Sequence, residues 1–366
     1  MKPTVARTDS GAPAAAQSDG PVSRCLPASL ARWLAESVHD DGPFTLSRLS
    51  GGNSNETYRL VGPAGSWIVR RPPAASIARA AHNLAREHRV LSALADQPIP
   101  APRSVAFTDD RAVAETPVLV LQDMAGTALT DSFPSEWPVR VGERTAVAAT
   151  GRAAVEALAA LHAVDWQQVG LLGFGRPDGY LARQVPRWRS QYATNQTRDL
   201  PLFDPVADWL DRHRPPDTEP ALLHGDYHLD NCLFLPPQEQ YPAIRVNAII
   251  DWELATIGDP LVDLGLLLAF WGDDRPVPVA MPQVQALTRG AGAPSRTELA
   301  DHYAKLSGRS IEHLDWYLTL ALFKLAAIVE GAYARFRAGE LDSDYARGLA
   351  TDVPRLLDEA AGFAGL

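Results

Sequence analysis

Lysine is nearly absent from this chain. Of its 34 lysines and arginines only Lys2, Lys305 and Lys324 are lysine, so a permanently charged cation between residues 3 and 304 has to be arginine. Cysteine is scarcer still. Cys25 and Cys232 cannot make a disulfide framework, and they supply no zinc-ligand spacing. Cys232 reads as a small buried residue, and the low count fits a reducing compartment. Positive charge is in deficit as well. A net charge of −10 argues against nucleic acid as the main partner, because phosphate backbones require clustered cations. No run of about 18 apolar residues is present, so a membrane span is not expected. The N-terminus has no apolar secretory core. Residues 1–23, rich in Ala, Pro, Ser, Gly and Thr, are expected to form a disordered leader. These absences together lead us to expect a cytoplasmic protein; they leave its oligomeric state open.

The remainder has the composition of an ordinary globular protein, with 46% hydrophobic and 21% charged residues over 366 positions. That length accommodates two or three domains or one two-lobed enzyme.

The chemistry concentrates between Leu222 and Gly265, in LLHGDYHLDNCLF and, further on, AIIDWELATIGDPLVDLG. Two short apolar runs each end in an aspartate. The first leads into His224-Gly225-Asp226, with Asn231 five residues beyond that aspartate. The second ends in Asp251. Phosphoryl transfer needs such a set: one carboxylate to orient or accept the proton of the attacking hydroxyl, and an amide and a second carboxylate to hold Mg²⁺ against nucleotide phosphates. Because Mg²⁺ keeps several waters, one carboxylate and one amide suffice. Asp226 is therefore the candidate catalytic base, and Asn231 and Asp251 the candidate metal ligands. The competing view makes them strand-end carboxylates that cap loops or pair with arginine. His224 is expected to orient its loop by hydrogen bonding. Asp259 and Asp263 are expected to cap the helix that begins near Pro260.

His224-Gly225-Asp226, Asn231, Ile250-Asp251-Trp252-Glu253 and Gly258-Asp259-Pro260 resemble the motifs of the aminoglycoside phosphotransferase and choline kinase superfamily. The resemblance implies an α+β, protein-kinase-like fold, with an antiparallel-sheet N-lobe (residues 24–122) and a mainly helical C-lobe (residues 123–366). It also implies ATP or GTP with Mg²⁺ as cofactors and a small-molecule acceptor bearing a hydroxyl. A nucleotide-binding pseudokinase without turnover is the alternative.

The N-terminal pattern fits that order. A helical spacing covers Leu26–Val38, and strands are expected at Phe44–Leu49, Glu56–Leu60 and Ser66–Arg70. The turn between the first two strands holds Gly51, Gly52, Asn53, Ser54 and Asn55, whose backbone N–H groups could cover phosphates. Kinase-like folds place a lysine on the third strand, paired with a glutamate of the next helix. Here Arg70 stands in its place, and Glu87, in the helix expected over Ser76–Leu94, matches the glutamate. An Arg is chemically suited to phosphate, being bidentate and always charged. The alternatives are a surface arginine and a solvated glutamate. After strands at Val105–Phe107 and Val118–Leu121, Gln122 and Met124 fall where the resemblance puts an adenine-contacting hinge.

Beyond the hinge, helices are expected over Glu143–Val164, Asp178–Thr194, Phe203–His213, Leu261–Trp271, Ser295–Ser307, Ile311–Arg337 and Tyr345–Ala361. Trp67–Pro73, Ala85–Leu91 and Trp316–Gly339 are similar to the kinase-like domain fused to some acyl-CoA dehydrogenases. That branch implies a hydroxyacyl-CoA acceptor, against the amino sugar of aminoglycoside kinases. The cluster Arg183, Arg187 and Arg189 leans toward the former, as a place for CoA phosphates.

Overall fold

The computed structural model describes residues 26–49, 55–73, 77–139, 144–240, 243–272 and 279–366. The leader and Gly51, Gly52, Asn53 and Ser54 lie outside the described residues. The chain divides into two compact units. One comprises residues up to Arg89 together with Arg103–Asp123, the other Val90–Pro102 with Met124–Leu366.

The first unit is built on a five-stranded antiparallel sheet in the order β1-β2-β3-β5-β4, with β1 at Thr45–Arg48, β2 at Glu56–Gly62, β3 at Gly65–Arg71, β4 at Ser104–Thr108 and β5 at Val118–Gln122. Alternation decides which residues meet. Tyr58, Leu60, Val69, Val118 and Val120 share one face and bury Leu30, Leu34 and Val38 of helix α1 (Ala28–Val38). Arg70, one residue past Val69, falls on the other face. There it meets Glu87 of α2 (Ile77–Ala93). Asp123, just past β5, accepts from Ser66 (2.7 Å) and pairs with Arg59 (2.9 Å).

The second unit is mainly helical, with two small sheets. β7 (Ala221–Leu223) pairs with β10 (Thr256–Gly258). β8 (Cys232–Leu235) lies between β6 (Thr127–Ala128) and β9 (Arg245–Ile249). Around them stand α3 (Arg144–His162), α4 (Gln184–Asn195), α5 (Phe203–Arg212), α6 (Leu261–Ala269), α7 (Arg296–Ser307), α8 (Leu314–Arg337) and α9 (Asp344–Ala364). Ser295 and Glu298 form a reciprocal capping box at α7, worth about 1 kcal/mol. The helix expected from Asp178 begins later. The chain turns at Gly179 (φ +61°) and passes a 3₁₀ turn at Leu181–Arg183 before α4 starts.

α8 is the organising helix of this unit, packing against α4, α5, α6 and α9. By length and composition it could cross a membrane, but 72% of its most apolar window is buried inside the fold. Most of its apolar surface is covered by protein, as befits a central helix that is hydrophobic nearly all round.

Candidate functional site

The second unit brings the two aspartate motifs together through strand pairing. Leu223 lies opposite Thr256, which sets the turn after β7 beside the segment entering β10. Cys232 lies opposite Ile249, which sets Asn231 beside Ile250-Asp251. The hydrogen bonds complete the link. The Asn231 side-chain amide donates to the Asp226 carbonyl at 2.8 Å, and the Ile250 N–H donates to the Asn231 carbonyl at 2.9 Å. His224 Nε2–H donates to the Ile250 carbonyl at 2.9 Å. His224 is fully buried, and desolvation pushes its pKa down although Asp263, Asp226 and Asp251 pull it up. It is the loop orienter expected from the sequence, and neutral.

Gly225 (φ +84°) is needed for conformation and for space. A Cβ there would lie 2.4 Å from the Leu254 carbonyl oxygen, so the Asp226 loop and the turn after Asp251 touch backbone to side-chain-free backbone. Asp251 itself adopts the left-handed conformation (φ +68°, ψ +63°), uncommon outside glycine though tolerated by Asp. It swings the chain from β9 into a 3₁₀ turn at Trp252–Leu254.

The Asp226 carboxylate lies 3.5 Å from His228 Nε2. Burial raises its pKa, but the His228 hydrogen bond and the charges of His228, Lys324 and His224 outweigh that and hold it well below the usual carboxylate range. The Asp226 carboxylate is thus ionised at neutral pH. With its Nδ2 committed to the Asp226 carbonyl, Asn231 has its Oδ1 facing away as an acceptor. One amide oxygen and the Asp251 carboxylate are hard oxygen donors suited to Mg²⁺. Among the described residues no three His, Cys, Asp or Glu gather as a cage. The donor set therefore fits an ion that takes its remaining ligands from phosphate and water. Cys232, next to Asn231, is buried, and burial pushes its thiol up to about 12, which suits packing and not nucleophilic attack.

Asp263 corrects the sequence expectation. It does not cap α6. Its two carboxylate oxygens accept the N–H groups of His224 (2.6 Å) and Gly225 (2.9 Å), which holds the turn before Asp226. Asp259 does cap, accepting the Leu261 N–H at 3.0 Å, and also accepts from Thr218 and Tyr317.

Lys324 of α8 was missed by sequence reasoning. Its Nζ donates to the Gly225 carbonyl at 2.9 Å and lies 5.6 Å from the Trp188 ring centroid. The signal was present: one lysine inside the otherwise apolar run Leu320–Val329. The arginines of α4 and the turn before it do not form a free cluster. Arg183 is spent on the carbonyls of Asp178 and Arg176, and Arg189 on Asp204 and Asp208. Arg187 stacks over Trp188 at 4.7 Å.

In the first unit, Arg70 and Glu87 form a buried ion pair, 8% and 0% exposed. The solvated alternatives for both residues are thereby excluded. Arg71 faces the other way, onto Glu56 (2.8 Å) and Tyr58 (3.0 Å). Asn55 is buried where β2 begins. Gln122 ends β5, its N–H on the Arg103 carbonyl at 2.9 Å, and Met124 opens the second unit.

A kinase-like sheet unit and a helical unit carrying Asp226, Asn231 and Asp251 are the arrangement of a phosphotransferase. The chain belongs to the phosphotransferase enzyme family, whose model matches residues 45–301. Among its relatives are acyl-CoA dehydrogenase family member 11 of Gallus gallus, 34% identical over 87% of this chain, and of Homo sapiens, 33% over 83%. The chain spans 40% and 38% of those proteins. A Ralstonia eutropha structure assigned to the aminoglycoside phosphotransferases is 28% identical, with a TM-score of 0.74 over 92% of this chain and 97% of that one. A thermostable mutant of the aminoglycoside phosphotransferase APH(4)-Ia, in ternary complex with AMP-PNP and hygromycin B, shares the fold at 17% identity and a TM-score of 0.57, over 92% of this chain and all of that one.

Proposed function

We propose that this protein transfers the γ-phosphate of ATP to a hydroxyl group of a small molecule. The observation that carries the reading is the hydrogen-bonded chain from Asp226 through Asn231 to the residue before Asp251. It ties a base candidate to two oxygen donors suited to Mg²⁺. In this reading Asp226 accepts a hydrogen bond from the acceptor hydroxyl, orients it and takes its proton at the carboxylate as the oxygen attacks. Asn231 and Asp251 would hold Mg²⁺, which when bound offsets phosphate charge. Arg70, fixed by Glu87, holds nucleotide phosphates, together with the backbone of Gly51 to Asn55. Gln122 and Met124 are assigned to the adenine edge. ATP is favoured by family membership and by the AMP-PNP held by a relative of like fold.

For the acceptor we favour a hydroxyacyl thioester over an amino sugar. The dehydrogenase-fused relatives support this, as does Arg187, which makes no ion pair or hydrogen bond among the described residues and so keeps its charge for an anion. The test is a coupled ADP-release assay with Mg²⁺-ATP over a panel of hydroxyacyl-CoA thioesters, free hydroxy acids and aminoglycosides. Acceptor-dependent ADP release by the thioesters is expected. Release with aminoglycosides alone would refute the acceptor class. No release above the ATP-only rate with any member would count against the transfer itself.

A further inference from the structure

Gly225 is the residue whose backbone aims Asp226, and as glycine it resists few rotations by itself. Its N–H donates to the Asp263 carboxylate of α6, and its carbonyl accepts from the Lys324 ammonium of α8. α6 and α8 pack against one another, so the two charges that grip this glycine are held by one helix pair. Lys324 is 94% buried, which desolvates its ammonium and costs stability unless the charge is used. It is the sole lysine in the described part of α8, and its remaining neighbours are the Trp188 ring and the charges of Asp226, Asp263 and Arg187. A packing role alone would be better filled by Leu or Met at such a site.

We infer that Lys324 is a positioning residue of the transfer reaction: bonded to the Gly225 carbonyl, it locks the peptide that joins Gly225 to Asp226 and so fixes where the Asp226 carboxylate stands. This rests on the role proposed for Asp226. Lys324 need not touch either substrate.

The test compares Lys324→Met, Lys324→Arg and, as a structural reference on the same helix, Glu330→Gln. Glu330 is fully buried and pairs with Arg198, away from the Asp226 loop. Lys324→Met should leave Tm equal or raised, since a desolvated charge is removed. The KM for ATP should stay within about twofold, while kcat falls about 10- to 100-fold, the scale of a small misplacement of a reacting group. Lys324→Arg should recover part of the loss, because a guanidinium also donates to a carbonyl. Glu330→Gln should lower Tm with kcat of the folded enzyme retained. Amide exchange at Gly225–Asn231, faster in Lys324→Met with α9 unchanged, reports the lock without turnover. The inference is overturned if Lys324→Met keeps wild-type kcat and exchange, or if kcat is lost only in step with Tm and ATP affinity. An inactive wild type with the exchange difference present would refute the function reading and leave the lock standing as a structural device only, which also overturns the catalytic role.

Discussion

Removing Arg70 is the most informative single perturbation. Its guanidinium and the Glu87 carboxylate form an ion pair on the α2 face of the sheet, with Glu87 fully buried. Deleting one partner of such a pair typically costs roughly 3–5 kcal/mol, because the other charge stays desolvated. Arg70→Ala should therefore lower the urea midpoint of the first unit sharply, domain stabilities being about 5–15 kcal/mol. The double replacement Arg70→Met with Glu87→Gln removes both charges at similar volume and should be clearly more stable than Arg70→Ala. Arg71 is the internal control. It is on the opposite face, its side chain is 36% exposed, and its pair with Glu56 belongs to the class worth about 0–1 kcal/mol. A second effect concerns ligand. A charge-assisted contact to phosphate is worth about 1.5–3 kcal/mol, or roughly 10- to 150-fold in affinity. In the charge-free double variant, which isolates the ligand effect from folding, ATP affinity measured by calorimetry should fall by that factor. Glu87→Gln alone should lose less, since it only holds the guanidinium. If Arg71→Ala proves as damaging as Arg70→Ala, the assignment of faces fails. If the double variant binds ATP like wild type, Arg70 is a structural ion-pair partner and the phosphate role is wrong.

Three further outcomes follow from the second unit. Asp226→Asn should bind ATP nearly as wild type yet lose transfer by about 10²- to 10⁴-fold in kcat, as measured on a confirmed acceptor; retained turnover would remove Asp226 as base. Asp251→Ala should abolish the Mg²⁺ dependence of nucleotide binding in titration calorimetry, because a unit of negative charge leaves the donor set. The third outcome is a pH effect. Burial depresses the pKa of His162, more than the nearby Asp263 raises it, and depresses that of His224 as well. The unfolded chain then binds protons that the folded chain does not, so stability is full above the unfolded value of about 6.5 and declines as pH falls below it. His228, whose pKa Asp226 and Asp230 raise despite burial, works in the opposite sense, so the His162 contribution is read as a difference: urea midpoints at pH 7.5 and 5.5 should drop less in His162→Gln than in wild type, and an equal drop would mean that His162 is not buried neutral.

How much of this could be read from sequence depends on the range of each interaction. Strand alternation puts Arg70 and Arg71 on opposite faces, and the short spacing of Asp226 and Asn231 marked them as one candidate group, which the structure joins by the Asn231 amide on the Asp226 carbonyl. Helices over the apolar spacings of α1, α3 and α7 begin and end within two residues of expectation, because period and caps are local properties. The roles of Asp263, Lys324 and the arginines were not legible. Asp263 looked like a first-turn carboxylate at a helix start, which it is, but its oxygens are spent on backbone 38 and 39 residues away. Arg183 and Arg189 looked like free cations until neighbouring carbonyls and carboxylates claimed them.

The sequence by itself determined the family and the α+β fold class, and it singled out Asp226, Asn231 and Asp251 as candidates, since these are written in residue types at short spacing. The tertiary structure alone decided which charges meet. Lys324 reaches Gly225 across 99 residues because α8 packs on α6, and Glu87 loses its water because α2 lies on the Arg70 face of the sheet. A hydrophobic period specifies that a face will be covered, but not by what. The partner of a buried charge is set by the packing of whole elements, which no local pattern encodes.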